Sequence, residues 1–318
     1  MISSAELGGL MAMMPAFATD DAADIHATNT ISVDRLEAGL NRMIGDGANV
    51  IATTGSFGEF HTLLPEEYET LVRLAAEINA RRAPLFVGAT GLNTRDVMQK
   101  CAIVADTSAT GILIGVPFYF PSSLANAIRF FKDIAENFPS LAIMIYHNPA
   151  LHNVKLTLPV MKEILEIPQV VAMKDSHREP AEFMRLMDMA RGKMSVFVNQ
   201  MQYVAFQPLG APGFWSIDSW MGPWPLLALR DAMARGDLAR ATEITFALAP
   251  PLGAPPANMS WRETAAKIRI RYAGYVDPGP LRPPFIEIPP EVDAAAKRKA
   301  DQWKTLCDEC RSEVAAAA

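Results

Sequence analysis

Gln169-Val170-Val171-Ala172-Met173-Lys174-Asp175-Ser176 is the stretch from which the fold is read. A short apolar run ends in a lysine. That is the pattern of a fully buried parallel strand that delivers one side chain to the mouth of an α/β barrel. Burying a lysine is costly unless the group loses its charge or finds a partner. Losing the charge is what a Schiff-base lysine needs, because only the free amine attacks a ketone. Bringing its pKa from about 10.4 to about 7 takes roughly 4–5 kcal/mol of differential destabilisation of the ammonium. On this segment alone the alternative is a solvated lysine just past a strand end, since buried lysine is rare.

Two further segments bear on that choice. Ala142-Ile143-Met144-Ile145-Tyr146 is a second buried strand, closed by His147-Asn148-Pro149 turn chemistry. Asn49-Val50-Ile51-Ala52-Thr53-Thr54 runs into Gly55-Ser56-Phe57-Gly58-Glu59. Three strands thus end in a polar glycine loop, a tyrosine and a lysine, and the strand ends of an eight-stranded barrel converge on one face.

The rest of the chain repeats the alternation. Further strands are expected at Gly9 to Pro15, Pro84 to Gly88, Gly111 to Val116, Ser195 to Asn199 and Gly213 to Ile217. Helices are expected at Val33 to Gly45, capped by Ser32, at Pro65 to Ala80, from Arg95 with Thr94 as cap, and up to about Asn137. The fold class expected is α/β, a (β/α)8 TIM barrel with additional C-terminal helices. Residues 1–222 form the barrel and 223–318 a C-terminal helical extension packed on it, with Asp277 to Pro290 as a Pro/Gly-rich loop.

The 318 residues suit such a barrel, and half of them are apolar, ample for a large core. A net charge of −6 and a pI of about 5.5 offer no electrostatic basis for binding nucleic acid. No run of about 18 apolar residues reads as a membrane span, and the apolar start at Gly8 to Met14 lacks the basic flank of a signal peptide. Three cysteines argue against a disulfide scaffold and suit a reducing, cytoplasmic setting. Cys307-Asp308-Glu309-Cys310 has CxxC form, but no second Cys/His pair lies near it, so no metal is expected there.

The set Gly55-Ser56-Phe57-Gly58-Glu59, Tyr146-His147-Asn148-Pro149 and Val171-Ala172-Met173-Lys174 resembles the pyruvate-dependent class I aldolase superfamily, which includes dihydrodipicolinate synthase and N-acetylneuraminate lyase. Within it the chain is most similar to the hydratase-aldolases that cleave trans-o-hydroxybenzylidenepyruvate or carboxybenzalpyruvate. The marks of that branch are Phe57, Leu92-Asn93-Thr94-Arg95, Phe214-Trp215-Ser216 and Arg282-Pro283-Pro284. The similarity runs from about Gly9 to Pro290.

The resemblance implies roles residue by residue. Lys174 is the Schiff-base nucleophile and Tyr146 the proton carrier. A tight glycine-rich turn aims backbone N–H groups at an anion, and in the resembled family this loop holds the pyruvyl carboxylate, which implies Gly55, Ser56 and the Phe57 N–H here. Phe57 stands where synthases and lyases commonly carry a second hydroxyl residue. Trp215 is expected to wall an aryl pocket, and Asn93 to orient a water or an aldehyde oxygen. Tyr119 resembles a tyrosine that crosses a subunit interface in dihydrodipicolinate synthases. Arg262 falls where the resembled branch has an asparagine at the distal end of the pocket, and a guanidinium there would favour a carboxylate-bearing ring. Glu59 is expected to bond backbone groups of its own turn; His147, His177 and Asp175 follow strand ends, where they either tune the mouth electrostatically or, as is usual for loop residues of these types, are solvated.

The implied reaction converts an aryl-substituted 2-oxo-but-3-enoate to an aromatic aldehyde and pyruvate. The covalent lysine supplies the electron sink, with no cofactor and no metal. The resemblance also implies a homotetramer. Two alternatives stay open: another lyase, synthase or dehydratase of the superfamily with a polar substrate, and a non-catalytic binder of 2-oxo acids.

Overall fold

The computed structural model describes the backbone of residues 1–176, 178–249 and 259–317, and the side chains of these except at 259–263 and 316–317. Eight strands form a closed, all-parallel barrel in sequence order: β1 (Gly9–Met13), β2 (Val50–Thr53), β3 (Leu85–Gly88), β4 (Gly111–Ile114), β5 (Ala142–His147), β6 (Val170–Asp175), β7 (Ser195–Asn199) and β8 (Gly213–Ser216). The expected (β/α)8 barrel is therefore the observed one. β5 and β6 are buried along their whole lengths, which is why they read as unbroken apolar runs rather than alternating ones.

Among the described residues twelve α-helices accompany the strands. Those between strands are α1 (Val33–Gly45), α2 (Pro65–Asn79), α3 (Thr94–Ala105), α4 (Leu124–Asn137), α5 (Pro149–His152), α6 (Leu158–Ile164), α7 (Pro180–Ala190) and α8 (Tyr203–Phe206). After β8 come α9 (Trp224–Ala234), α10 (Leu238–Leu248), α11 (Met259–Ala273) and α12 (Pro290–Ala317). Ser32 caps α1 by accepting from the Arg35 amide. Pro65 opens α2 at a position where its missing N–H costs nothing. For α3 the cap is Asn93, not Thr94: the Asn93 side chain accepts from the Asp96 amide at 3.1 Å. Asn and Thr compete for such positions, and here the amide oxygen has the geometry.

The helices after β8 share the barrel's core. Trp303 on α12 is fully buried, and its indole N–H donates to the Gly222 carbonyl at 2.9 Å. Cys307 and Cys310 are buried on the same helix, and burial pushes their thiols up to about 12 and about 11. Such thiols stay protonated and pack as small apolar groups. Among the described residues no helix is long and apolar enough to cross a membrane.

Candidate active site

The register between β5 and β6 sets Tyr146 directly beside Lys174, and His147 beside Asp175. Both side chains of the first pair rise at the C-terminal mouth of the barrel. Lys174 is 4% exposed, and its Nζ lies 4.3 Å from the Tyr146 ring centroid and 3.7 Å from that of Trp215. Its Nζ also donates to Ser176 Oγ at 3.4 Å. The lysine is thus a buried strand residue, not a solvated one past a strand end. Two aromatic faces take the place of water around the amine.

Trp215 is only 9% exposed and is held from β8 by its indole N–H, which donates to the Asp175 carbonyl at 3.1 Å. Its ring face is turned to Lys174. Trp215 thus stands in direct contact with the Lys174 amine.

Behind the pair lies a buried charged cluster, so of the two readings for His147 and Asp175 the solvated one does not hold. His147 and Asp175 are strand residues, 1% and 2% exposed. The Leu156 amide donates to His147 Nε2 at 3.2 Å, so the proton sits on Nδ1 and is donated to Asp175 Oδ1 at 2.9 Å. Arg178 Nε donates to the other carboxylate oxygen at 2.6 Å and Nη2 to the Leu156 carbonyl at 3.1 Å. Burial alone would raise the Asp175 pKa, yet the His147 hydrogen bond and the Arg178 charge hold it at about 2. The cluster ties the ends of β5 and β6 together one residue beyond Tyr146 and Lys174, and so fixes their relative height. His177 lies outside the described residues.

The loop after β2 reaches the same point. Ser56 Oγ is 3.0 Å from the Tyr146 hydroxyl. Thr54 and Glu59 both have left-handed backbones, with φ of 48° and 56°. Such conformations cost of order 1–2 kcal/mol each for residues other than glycine, and persist only where the surroundings hold them. Gly58 between them is obligatory, because a Cβ there would stand 2.6 Å from the Thr54 nitrogen and 3.0 Å from the Met14 carbonyl oxygen. Phe57 is buried, at 4% exposure.

Glu59 departs from expectation. Its main chain does serve the turn: the amide donates to the Ser56 carbonyl at 3.2 Å, and the Glu59 carbonyl accepts from the Thr62 amide at 2.8 Å. Its carboxylate instead accepts from Lys267 Nζ at 2.7 Å and Arg282 Nη1 at 3.1 Å. These partners lie over 200 positions away, so no local pattern in the sequence signalled the pairing.

Asn93 is exposed, and its amide oxygen is engaged in the cap of α3. Tyr119 is 73% exposed and packs edge-on against Phe120, not against Tyr146 or Lys174. The Arg262 side chain lies outside the described residues.

One residue beside Tyr146 carries no signal in the sequence. His152, at the end of the single-turn helix α5, is 4% exposed and stands edge-to-face on the Tyr146 ring, centroids 4.9 Å apart. Gly115 makes room for it, since a Cβ there would come within 2.2 Å of His152 Cε1. Burial, followed by the Lys174 charge, pushes the His152 imidazole down to about 4. It is therefore neutral at pH 7. Between about pH 6.5 and 4 the unfolded chain binds a proton that the folded one does not, so stability falls as the pH falls. The expected loss from this group over that interval is on the order of 3 kcal/mol. His152→Phe, which keeps a ring against Tyr146, should flatten the pH dependence of urea-unfolding free energy over that range. An unchanged slope would assign it to other groups.

A profile of the Dihydrodipicolinate synthetase family matches residues 10–302. A trans-O-hydroxybenzylidenepyruvate hydratase-aldolase of Sphingobium xenophagum is 30% identical, with 95% of each chain covered. A trans-2'-carboxybenzalpyruvate hydratase-aldolase of Nocardioides sp. strain KP7 is 28% identical, with 89% of each chain covered. Among solved structures, one described as PhdJ bound to substrate intermediate superposes with a TM-score of 0.91 at 26% identity, covering 97% of this chain and 99% of the other.

Proposed function

Since the chain belongs to the dihydrodipicolinate synthetase family and is a lyase of the aldolase type, we propose that it is a Schiff-base hydratase-aldolase. Its substrate is an aryl-substituted 2-oxo-but-3-enoate, and its products are an aromatic aldehyde and pyruvate. The observation that carries this reading is the buried Lys174 amine, packed between the Tyr146 and Trp215 rings with Ser56 joined to Tyr146.

The chemistry follows from that arrangement. The Lys174 amine adds to the C2 ketone, and loss of water gives an iminium. The cation draws electrons through the conjugated alkene, so water adds at C4 and leaves an enamine; the proton that the water sheds passes through the Tyr146–Ser56 pair to C3, which restores the iminium. Tyr146 then takes the C4 hydroxyl proton. The C3–C4 bond breaks to the aldehyde, and its electron pair moves into the iminium to form an enamine. Protonation at C3 and hydrolysis release pyruvate and restore the amine. In sum one water is consumed. A held carboxylate and a preformed proton path are what lower such a barrier. We assign the carboxylate to Ser56 Oγ and the Phe57 N–H, and we read Gly55 as leaving room for the substrate. Aromatic residues at Phe57 and Trp215 suit an aryl group better than a sugar acid. We also read the chain as one subunit of a cytoplasmic homotetramer; the exposed Tyr119–Phe120 pair offers an apolar surface for a subunit contact.

The test is selectivity in the condensing direction. With pyruvate as donor, kcat/KM for a benzaldehyde should exceed that for aspartate semialdehyde or N-acetylmannosamine by at least about 10²-fold, the discrimination one mismatched pocket supplies. Preference for either polar acceptor would give the chain a different place in the family.

A further inference from the structure

Glu59 ends the loop that bears Ser56 and Phe57, and its carboxylate is clasped by two cations from the far end of the chain. Lys267, on α11, is 2% exposed; its Nζ also donates to the Pro280 carbonyl at 2.7 Å and to the Ala16 carbonyl at 3.5 Å. Arg282, equally buried, donates from Nη1 to the Ala16 carbonyl at 3.0 Å, from Nε to Thr30 Oγ1 at 2.8 Å and from Nη2 to the Thr30 carbonyl at 2.7 Å. Thr30 is in turn tied to Glu67, whose second oxygen accepts from the Leu64 amide at 2.8 Å. Two carboxylates and two cations thus balance inside the protein, with fixed carbonyls taking the spare protons. An arrangement so fully hydrogen-bonded holds one geometry, because each displaced group would be left buried without its partner.

What it holds is specific. Glu59 keeps a left-handed backbone, and its N–H closes the turn onto the Ser56 carbonyl. Fixing the Glu59 side chain therefore fixes the Ser56 peptide, and with it Ser56 Oγ and the N–H of Phe57. We propose that the Glu59–Lys267–Arg282 cluster is the positioning device of the carboxylate loop, so that two residues outside the barrel set the affinity for the pyruvyl half of the substrate. They act through the loop and touch neither the reacting carbons nor Lys174. The inference rests on the reading of Ser56 and Phe57 as the carboxylate site. Burial lowers the Lys267 ammonium to about 8 against the pull of Glu59, which marks a charge kept in place by that contact.

The test uses the full chain and pyruvate with cyanoborohydride. The rate of adduct formation on Lys174 is followed against pyruvate concentration, and the aldehyde KM is measured separately. Lys267→Met keeps the length and apolar stem of the side chain and leaves Glu59 its Arg282 contact. The expected result is a rise of at least tenfold in half-saturating pyruvate, with the maximal trapping rate and the aldehyde KM within threefold of the wild type. A purely structural role would lower the melting temperature and leave that split absent. Unchanged half-saturation overturns the proposal. If Lys267→Met does not fold, Glu59→Gln carries the test, since its amide keeps an oxygen toward Lys267; a rise of threefold or more is expected, and none overturns the proposal. A wild-type protein that forms no pyruvate adduct would instead overturn the function from which the inference starts.

Discussion

Lys174→Ala is expected to end both turnover and imine formation. Loss of the nucleophile from a covalent mechanism costs on the order of 10⁴–10⁶ in kcat, because the remaining groups have no intermediate to act on. Incubation of the wild-type chain with pyruvate and borohydride should add a pyruvyl-derived mass to the peptide containing Lys174, and the variant should take up none. The side chain is 4% exposed and packed against two rings, so truncation also leaves a cavity. Lys174→Met fills that volume and separates loss of chemistry from loss of packing. Both variants should be equally inert, with the methionine form the more stable to urea. An adduct on another lysine would end this mechanism.

Tyr146→Phe is expected to lower kcat by about 10²–10⁴, the contribution of a positioned acid–base group. The ring remains, so the contacts with Lys174 and His152 remain. Only the hydroxyl is removed, and with it the 3.0 Å bridge to Ser56. Imine trapping should persist at a slower rate, because proton movement assists but does not replace attack by the amine. Cleavage of a benzylidenepyruvate at the wild-type rate would refute the assignment. A large rise in pyruvate half-saturation with kcat untouched would make the hydroxyl a carboxylate ligand instead.

The barrel was legible because its signals are local. Val170–Asp175 and Ala142–His147 are buried on both faces, and such strands must be apolar for nearly their whole length. Ser32 and Pro65 mark helix starts through chemistry confined to one turn. Where two residues compete locally, as Asn93 and Thr94 do, the sequence alone left the cap open to misreading. The meeting of Tyr146, Lys174 and Ser56 was legible one step further out, because strand ends of a closed barrel must converge.

The ionised interior was not legible. His147 and Asp175 look like loop residues because, although Arg178 lies only three positions past Asp175, nothing in the sequence says that it folds inward with the Leu156 amide to close around them. His152 shows no spacing that places it on the Tyr146 ring, and Gly115, which admits it, is nearly forty positions earlier. Glu59 meets Lys267 and Arg282 across more than 200 positions of chain, in contacts that exist only in the packed fold.

By itself, then, the sequence determined the eight strands, their parallel order and the three segments that meet at the mouth. Each of these follows from burial periodicity and turn chemistry along a short piece of chain. Tertiary structure alone decided how charge is kept inside. A buried ion is tolerable only when partners arrive from several elements at hydrogen-bonding distance, and that condition is set by the packed fold, not by spacing along the chain.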